Sequence, residues 1–308
     1  MLLTILLLAA VILLISFVTF RMGFYADRKQ REEENLPAGE IYEVYWEAMR
    51  AWRRETRETP HEIFTIQSFD GLRLQGKYYE YEPGAPIEIM FHGYRGNAER
   101  DLCGGMQRCF RLGHSALIVD QRCSGASEGT VITFGVKEHR DCLEWVRFAV
   151  EHFGPDVRLI LTGISMGAST VLMAGGRELP ENVIGILADC GFTSAKEIIY
   201  AVIRNMKLPP ILVYPFVKLG ARIFGHFDLE AWSAVEAVKH CKVPVIFFHG
   251  EADDFVPASM SRKNYETCAS RHKRLVLMPG AGHGLSYPAA QEEYIRQARE
   301  FFHPERVG

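Results

Sequence analysis

A serine, an aspartate and a histidine, each in a glycine-bearing turn, are residue types suited to nucleophilic attack on a carbonyl. Ser165 sits in Gly163-Ile164-Ser165-Met166-Gly167, after the apolar run 157–162 and before a helical stretch of small and apolar residues. Small residues two places either side of the serine permit a sharp strand-to-helix turn that exposes its hydroxyl at the sheet edge. The helix start beneath it offers backbone N–H groups and a positive dipole end to a developing negative charge. A hydroxyl is a poor nucleophile until a base accepts its proton and a third group orients that base. Eleven histidines compete for the base. His283, in Pro279-Gly280-Ala281-Gly282-His283-Gly284, follows the last apolar run, while His92 and His249 each end a run in a His-Gly pair. The acids that fit are Asp253 and Asp254, again just past an apolar run. Serine, acid and histidine occur in the chain order expected when the serine occupies such a turn.

Other chemistries find less support. Gly125-Ala126-Ser127-Glu128-Gly129 repeats the glycine-serine-glycine spacing, but it lacks both the strand before and the helix after. It reads as a loop. There is no dinucleotide-binding fingerprint, no P-loop and no H-E-x-x-H pair, so neither cofactor nor metal is expected. The seven cysteines are odd in number and form no C-x-x-C, which fits scattered thiols better than disulfides or zinc.

These residues need a frame to hold them. Runs 62–67, 72–81, 87–91, 115–119, 157–162, 183–188, 243–248 and 273–278 read as strands. The first two alternate around Asp70-Gly71 as a hairpin; the later ones are continuously apolar. Helical patterns near 98–112, 135–153, 166–179, 257–271 and 287–302 separate them. The expectation is a mostly parallel sheet covered by helices, with chemistry beyond the carboxyl ends of its strands.

At this point the chain resembles the α/β-hydrolase superfamily over about 61–303. It is similar to bacterial serine aminopeptidase and prolyl-oligopeptidase-like hydrolases. The match rests on Phe91-His92-Gly93-Tyr94-Arg95-Gly96-Asn97, Asp120-Gln121-Arg122 with Gly125, Ser127 and Gly129, the Gly163–Gly167 turn, Gly250…Asp253…Val256-Pro257, and Gly282-His283. The resemblance implies Ser165 as nucleophile, His283 as base and Asp253, selected over Asp254 by its spacing, as orienting acid. It also implies an oxyanion hole made by the backbone N–H groups of Tyr94 and Met166. Cys123-Ser124 departs from relatives that carry a glycine or an aromatic there. The excursion at about 192–240 corresponds to a helical cap over the site.

The chain's ends and surface complete the reading. Residues 1–20, MLLTILLLAAVILLISFVTF, hold no charged side chain and are long enough for one bilayer crossing. No Lys or Arg precedes them and no small-x-small site follows, so an uncleaved anchor is expected. Arg21, Arg28, Lys29 and Arg31 follow the span, placing the body in the cytoplasm by the positive-inside rule. Residues 21–60 are charge-dense, with Ile41, Val44, Tyr45, Ala48, Met49 and Trp52 spaced for an amphipathic helix that packs on the body. Residues 61–308 form the catalytic domain. A net charge of −3 provides no basic footprint for nucleic acid. The expected activity is a membrane-anchored hydrolase of carboxylic esters or thioesters acting on small-molecule substrates. The alternatives are a serine peptidase for short peptides and a non-catalytic tethered binding protein.

Overall fold

The computed structural model describes residues 1–27, 36, 37 and 39–303. Its eight strands are β1 (Glu62–Gln67), β2 (Arg73–Tyr79), β3 (Ile87–Phe91), β4 (Ser115–Val119), β5 (Leu159–Ile164), β6 (Val183–Asp189), β7 (Val245–Gly250) and β8 (Lys273–Met278). They form one sheet in the order β1-β2-β4-β3-β5-β6-β7-β8. Only β1 with β2 and β2 with β4 pair antiparallel; the other neighbours are parallel. The mostly parallel sheet expected from the apolar runs is therefore present. All residues of β3 and β4 are buried, as strands covered on both faces must be.

The amino-terminal helices are α1 (Leu2–Gly23), α2 (Glu40–Glu43) and α3 (Trp46–Glu58). Next come α4 (Ala98–Asp101), α5 (Cys103–Leu112), α6 (Glu138–Phe153) and α7 (Met166–Gly175). Helices α8 (Ala195–Asn205), α9 (Pro210–Phe224) and α10 (Ala234–Ala237) make up the excursion between β6 and β7. The last three are α11 (Ala258–Thr267), α12 (Ser286–Ala289) and α13 (Gln291–Phe302). One sheet face is covered by α6 and α7, where Trp145, Val171 and Leu172 pack on Leu159, Leu161 and Phe247. On the other face α3, α5 and α13 bring Trp52, Leu112, Tyr294 and Ile295 onto Ile246 and Phe248. From β3 the chain crosses to β4 on one side, then returns past β3 to β5 on the other. That reversal opens a crevice at the carboxyl ends of β3 and β5.

The cap and the amino-terminal helix share one core. Ile198, Ile203, Tyr214 and Val217 of the cap cluster with Phe20, Phe24 and Ala26. Residues beyond α1 then pair with a body loop: Ala26 N–H donates to Thr130 O (3.0 Å) and Ile132 N–H to Phe24 O (2.8 Å). Most of α1 stays uncovered, with Ser16 and Phe20 its buried residues. Of the charges expected to orient it, Arg28, Lys29 and Arg31 lie outside the described residues.

The amphipathic segment differs from its expected form. It is two helices broken at Val44 and Tyr45, with Ile41 and Val44 exposed. Tyr42, Tyr45, Ala48, Met49 and Trp52 do pack on the body.

Candidate active site

Everything at this site hangs on the turn after β5. Ser165 is held at φ 56°, a left-handed conformation that is costly for a non-glycine residue. Its N–H donates to Asp189 O at 2.8 Å, which ties the turn to β6. The flanking glycines are required by space. A Cβ at Gly163 would lie 2.2 Å from the Gly167 carbonyl, and one at Gly167 would lie 2.0 Å from Phe91 O. The tight approach sets the amino end of α7 directly beneath Ser165.

His283 is carried on the turn between β8 and α12, and Asp253 on the turn after β7. His283 Nε2 lies 2.9 Å from Ser165 Oγ, and His283 Nδ1 lies 2.7 Å from Asp253 Oδ2. A carboxylate can only accept, so Nδ1–H donates to it and Nε2 is left to receive the serine proton. Burial alone would raise the Asp253 carboxyl. Hydrogen bonds from His249 and His283, with the Val256 N–H, outweigh that and hold it at about 2. Asp253 Oδ1 also accepts from the N–H groups of Phe255 (3.0 Å) and Val256 (2.8 Å). Asp254 is exposed and outside this chain of bonds. The geometry is that of a hydroxyl, a base and a fixed counter-charge in series.

The other two strand-end histidines take supporting positions. His92 Nε2 accepts from Gln121 N–H (3.0 Å) while Nδ1 meets Gly93 O (2.8 Å), which braces the loop after β3. In that loop Gly93 N–H donates to Asp101 Oδ2 (3.1 Å), whereas neither Tyr94 nor Met166 N–H has a backbone acceptor among the described residues. Both belong to the segments that meet Ser165. His249 Nε2 donates to Val256 O (2.8 Å) and lies 3.2 Å from Asp253 Oδ2, behind the acid.

The second serine motif is structural, as its context suggested. Ser127 Oγ donates to Asp120 O (2.6 Å) and accepts from Gln75 N–H (2.9 Å). Cys123, which departs from the expected pattern, is buried at φ 69°. The backbone there keeps the left-handed form that glycine adopts at no cost.

Tyr42 was not singled out from the sequence. Its hydroxyl donates to His283 O at 3.0 Å from 241 residues away, tying the His283 turn to the amino-terminal segment. Burial first, and the Asp253 carboxylate second, push Tyr42 up to about 12, so it stays a donor. Nothing in its spacing distinguished it from the packing residues around it.

Below Ser165 lies a cavity of about 290 Å³. Its walls include Met49, Trp52, Met90, Leu102, Leu187 and Tyr287. The acids on it are engaged: Asp101 with Arg100 (2.7 Å) and Gly93, and Asp189 with Ser286 Oγ (2.7 Å). Arg108 at its inner end is paired with the buried Glu88, which also accepts from Thr162 Oγ1 (2.7 Å) and meets His114 Nδ1 (2.8 Å). Among the described residues, Cys190, Asp253 and His283 come nearest to a metal-binding set, with ligand atoms within 4.8 Å of one another. Burial and the Asp189 and Asp253 carboxylates push the Cys190 thiol well up, which opposes the thiolate a metal requires.

Comparison with known proteins fits this arrangement. A model of the prolyl oligopeptidase family matches residues 133–305. Protein YqkD of Bacillus subtilis (strain 168) is 26% identical over 239 residues, covering 77% of this chain and 78% of its own. The membrane protein YNL320W of Saccharomyces cerevisiae is 24% identical over 233 residues, 74% of this chain and 75% of its own. Among solved structures, the Pyrococcus furiosus esterase Pf2001 superposes with a TM-score of 0.67 at 20% identity, covering 87% of this chain and 95% of that one.

Proposed function

The chain belongs to the prolyl oligopeptidase family and has the α/β-hydrolase fold, and from that premise we propose that it is a membrane-anchored serine hydrolase of carboxylic esters or thioesters. The observation that carries the reading is the continuous series Ser165–His283–Asp253, with contacts of 2.9 and 2.7 Å. His283 takes the Ser165 proton as the oxygen attacks the substrate carbonyl. The N–H groups of Tyr94 and Met166 stabilise the oxyanion, and the leaving group departs with the proton from His283. Water, activated by the same histidine, then releases the acyl group from Ser165.

The apolar cavity supports an acyl substrate, since both acids lining it are already bonded and neither awaits a substrate amine. The family match favours a second reading, a serine peptidase for short peptides. An uncleaved anchor is supported by Phe20, Phe24 and Ala26, buried in a core that a removed signal segment could not fill. The positive charges following the span favour the cytoplasmic side for the body.

A fluorophosphonate probe should label the purified protein, and Ser165→Ala should abolish labelling. Labelling that survives the substitution refutes the mechanism. Turnover of p-nitrophenyl esters against aminoacyl-arylamides then decides between esterase and peptidase.

A further inference from the structure

The cap carries an apolar face that its own core does not use. On α9, Tyr214, Val217, Gly220 and Ala221 turn inward, while Ile211 and Leu212 are 76% and 67% exposed. Met206 and Leu208, in the turn before α9, extend the same surface. A helix that is apolar on two faces needs a cover on both.

Two observations identify the outer cover. The patch adjoins α1, which is long and apolar enough to cross a membrane and is nearly bare along its length. The two helices also meet at small residues: a Cβ at Gly220 would lie 2.3 Å from Ser16 O. Phe224 packs next to this crossing, 5.2 Å from Phe17 and 5.9 Å from Phe20 between ring centroids. Close approach at small residues is a common way for helices to associate in lipid. These contacts advance in the same sense along both helices, so Ile211 and Leu212 lie toward the apolar, amino-terminal part of α1.

We propose that the turn between α8 and α9 and the outer face of α9 are embedded in the bilayer beside α1, so that the cap docks on the membrane and substrate reaches Ser165 from it. The substrate class is then a lipid-borne ester or thioester. This rests on the anchor reading above. The site lies close to the end of the span: Tyr94, on the cavity wall, donates its hydroxyl to Gly23 O at 2.9 Å.

The test uses the full chain in vesicles of phosphatidylcholine and phosphatidylglycerol. All seven native cysteines are buried, so an environment-sensitive fluorophore can be placed at introduced ones. Suitable sites are Leu8→Cys in α1, Ile211→Cys and Leu212→Cys on the patch, and Asp156→Cys at the opposite end of the sheet. Quenching by lipids brominated in mid-chain should be as strong at 211 and 212 as at 8, and absent at 156. Quenching at 8 with water-exposed labels at 211 and 212 overturns the inference while leaving the anchor intact. Labels at 211 and 212 shielded from aqueous iodide yet unquenched by bromolipid indicate a protein cover and also overturn it. An unquenched label at 8 removes the anchor reading and the inference together. In a second measurement, Ile211→Glu with Leu212→Glu should lower kcat/KM about tenfold or more for a long-chain fluorogenic ester dissolved in the vesicles. Turnover of p-nitrophenyl acetate in water should be unchanged. Equal loss on both substrates points to damage at the site and counts against the proposal.

Discussion

At the scale of single residues, two carboxylates sit side by side in sequence and differ in everything else. Asp253 is buried against His283, and its neighbour Asp254 faces solvent. Asp253→Asn is expected to reduce kcat by about 10⁴, since it loses the charge and the tautomer control that a triad acid supplies. Asp254→Asn should leave ester turnover near wild type, and the reverse result would reassign the acid. Glu88 makes a different prediction. Burial opposes its charge, yet Arg108, His114 and Thr162 hold its carboxyl at about 2, below the roughly 4.3 of an unfolded glutamate. Because the folded value is depressed, the stabilisation is full above about pH 4.3 and is lost as pH falls toward 2. Glu88→Gln strands the Arg108 charge and should cost about 3–5 kcal/mol at neutral pH. Urea midpoints of the two proteins should converge between about pH 4.3 and pH 2; parallel curves would exclude this linkage.

At the scale of elements, the strands were the most legible part of the chain. Four of the eight apolar runs, 62–67, 87–91, 115–119 and 273–278, match their strands residue for residue. The run at 157–162 continues instead to Ile164, because β6 keeps pairing with it up to the turn that carries Ser165. The run at 243–248 starts late because Pro244 has no N–H for the ladder, although its carbonyl accepts from Ile186 N–H at 2.8 Å. Ser165, Asp253 and His283 were legible because each sits on a short turn immediately after a strand. Tyr42 was hidden, since its role depends on a partner far along the chain. The pairing of residues 24–26 with 130–132 was hidden for the same reason, as periodicity reports on neighbours and is silent about distant partners. The crossing of α1 with α9 has its own test. Gly220→Leu forces a side chain into Ser16 and should destabilise the detergent-solubilised protein by about 1–3 kcal/mol, read from its thermal midpoint. An unshifted midpoint would mean that α1 does not pack on the cap.

At the scale of the whole molecule, the topology can be measured with an added thiol. A cysteine introduced at the exposed Glu181 should escape a membrane-impermeant maleimide in intact cells and react once they are opened. Reaction in intact cells would put the body outside and reverse the orientation. The shared core of span and cap also bears on how the protein is made. Ala26 leaves the ribosome some hundred residues ahead of Thr130, its pairing partner, and the Gly220 that receives Ser16 comes nearly a hundred later still. At about 5–20 residues per second, α1 waits on the order of ten seconds or more for the surface it will share. If α1 is the anchor proposed above, lipid is the apolar surface within its reach throughout that wait, and the cap closes later against a helix already in place in the bilayer.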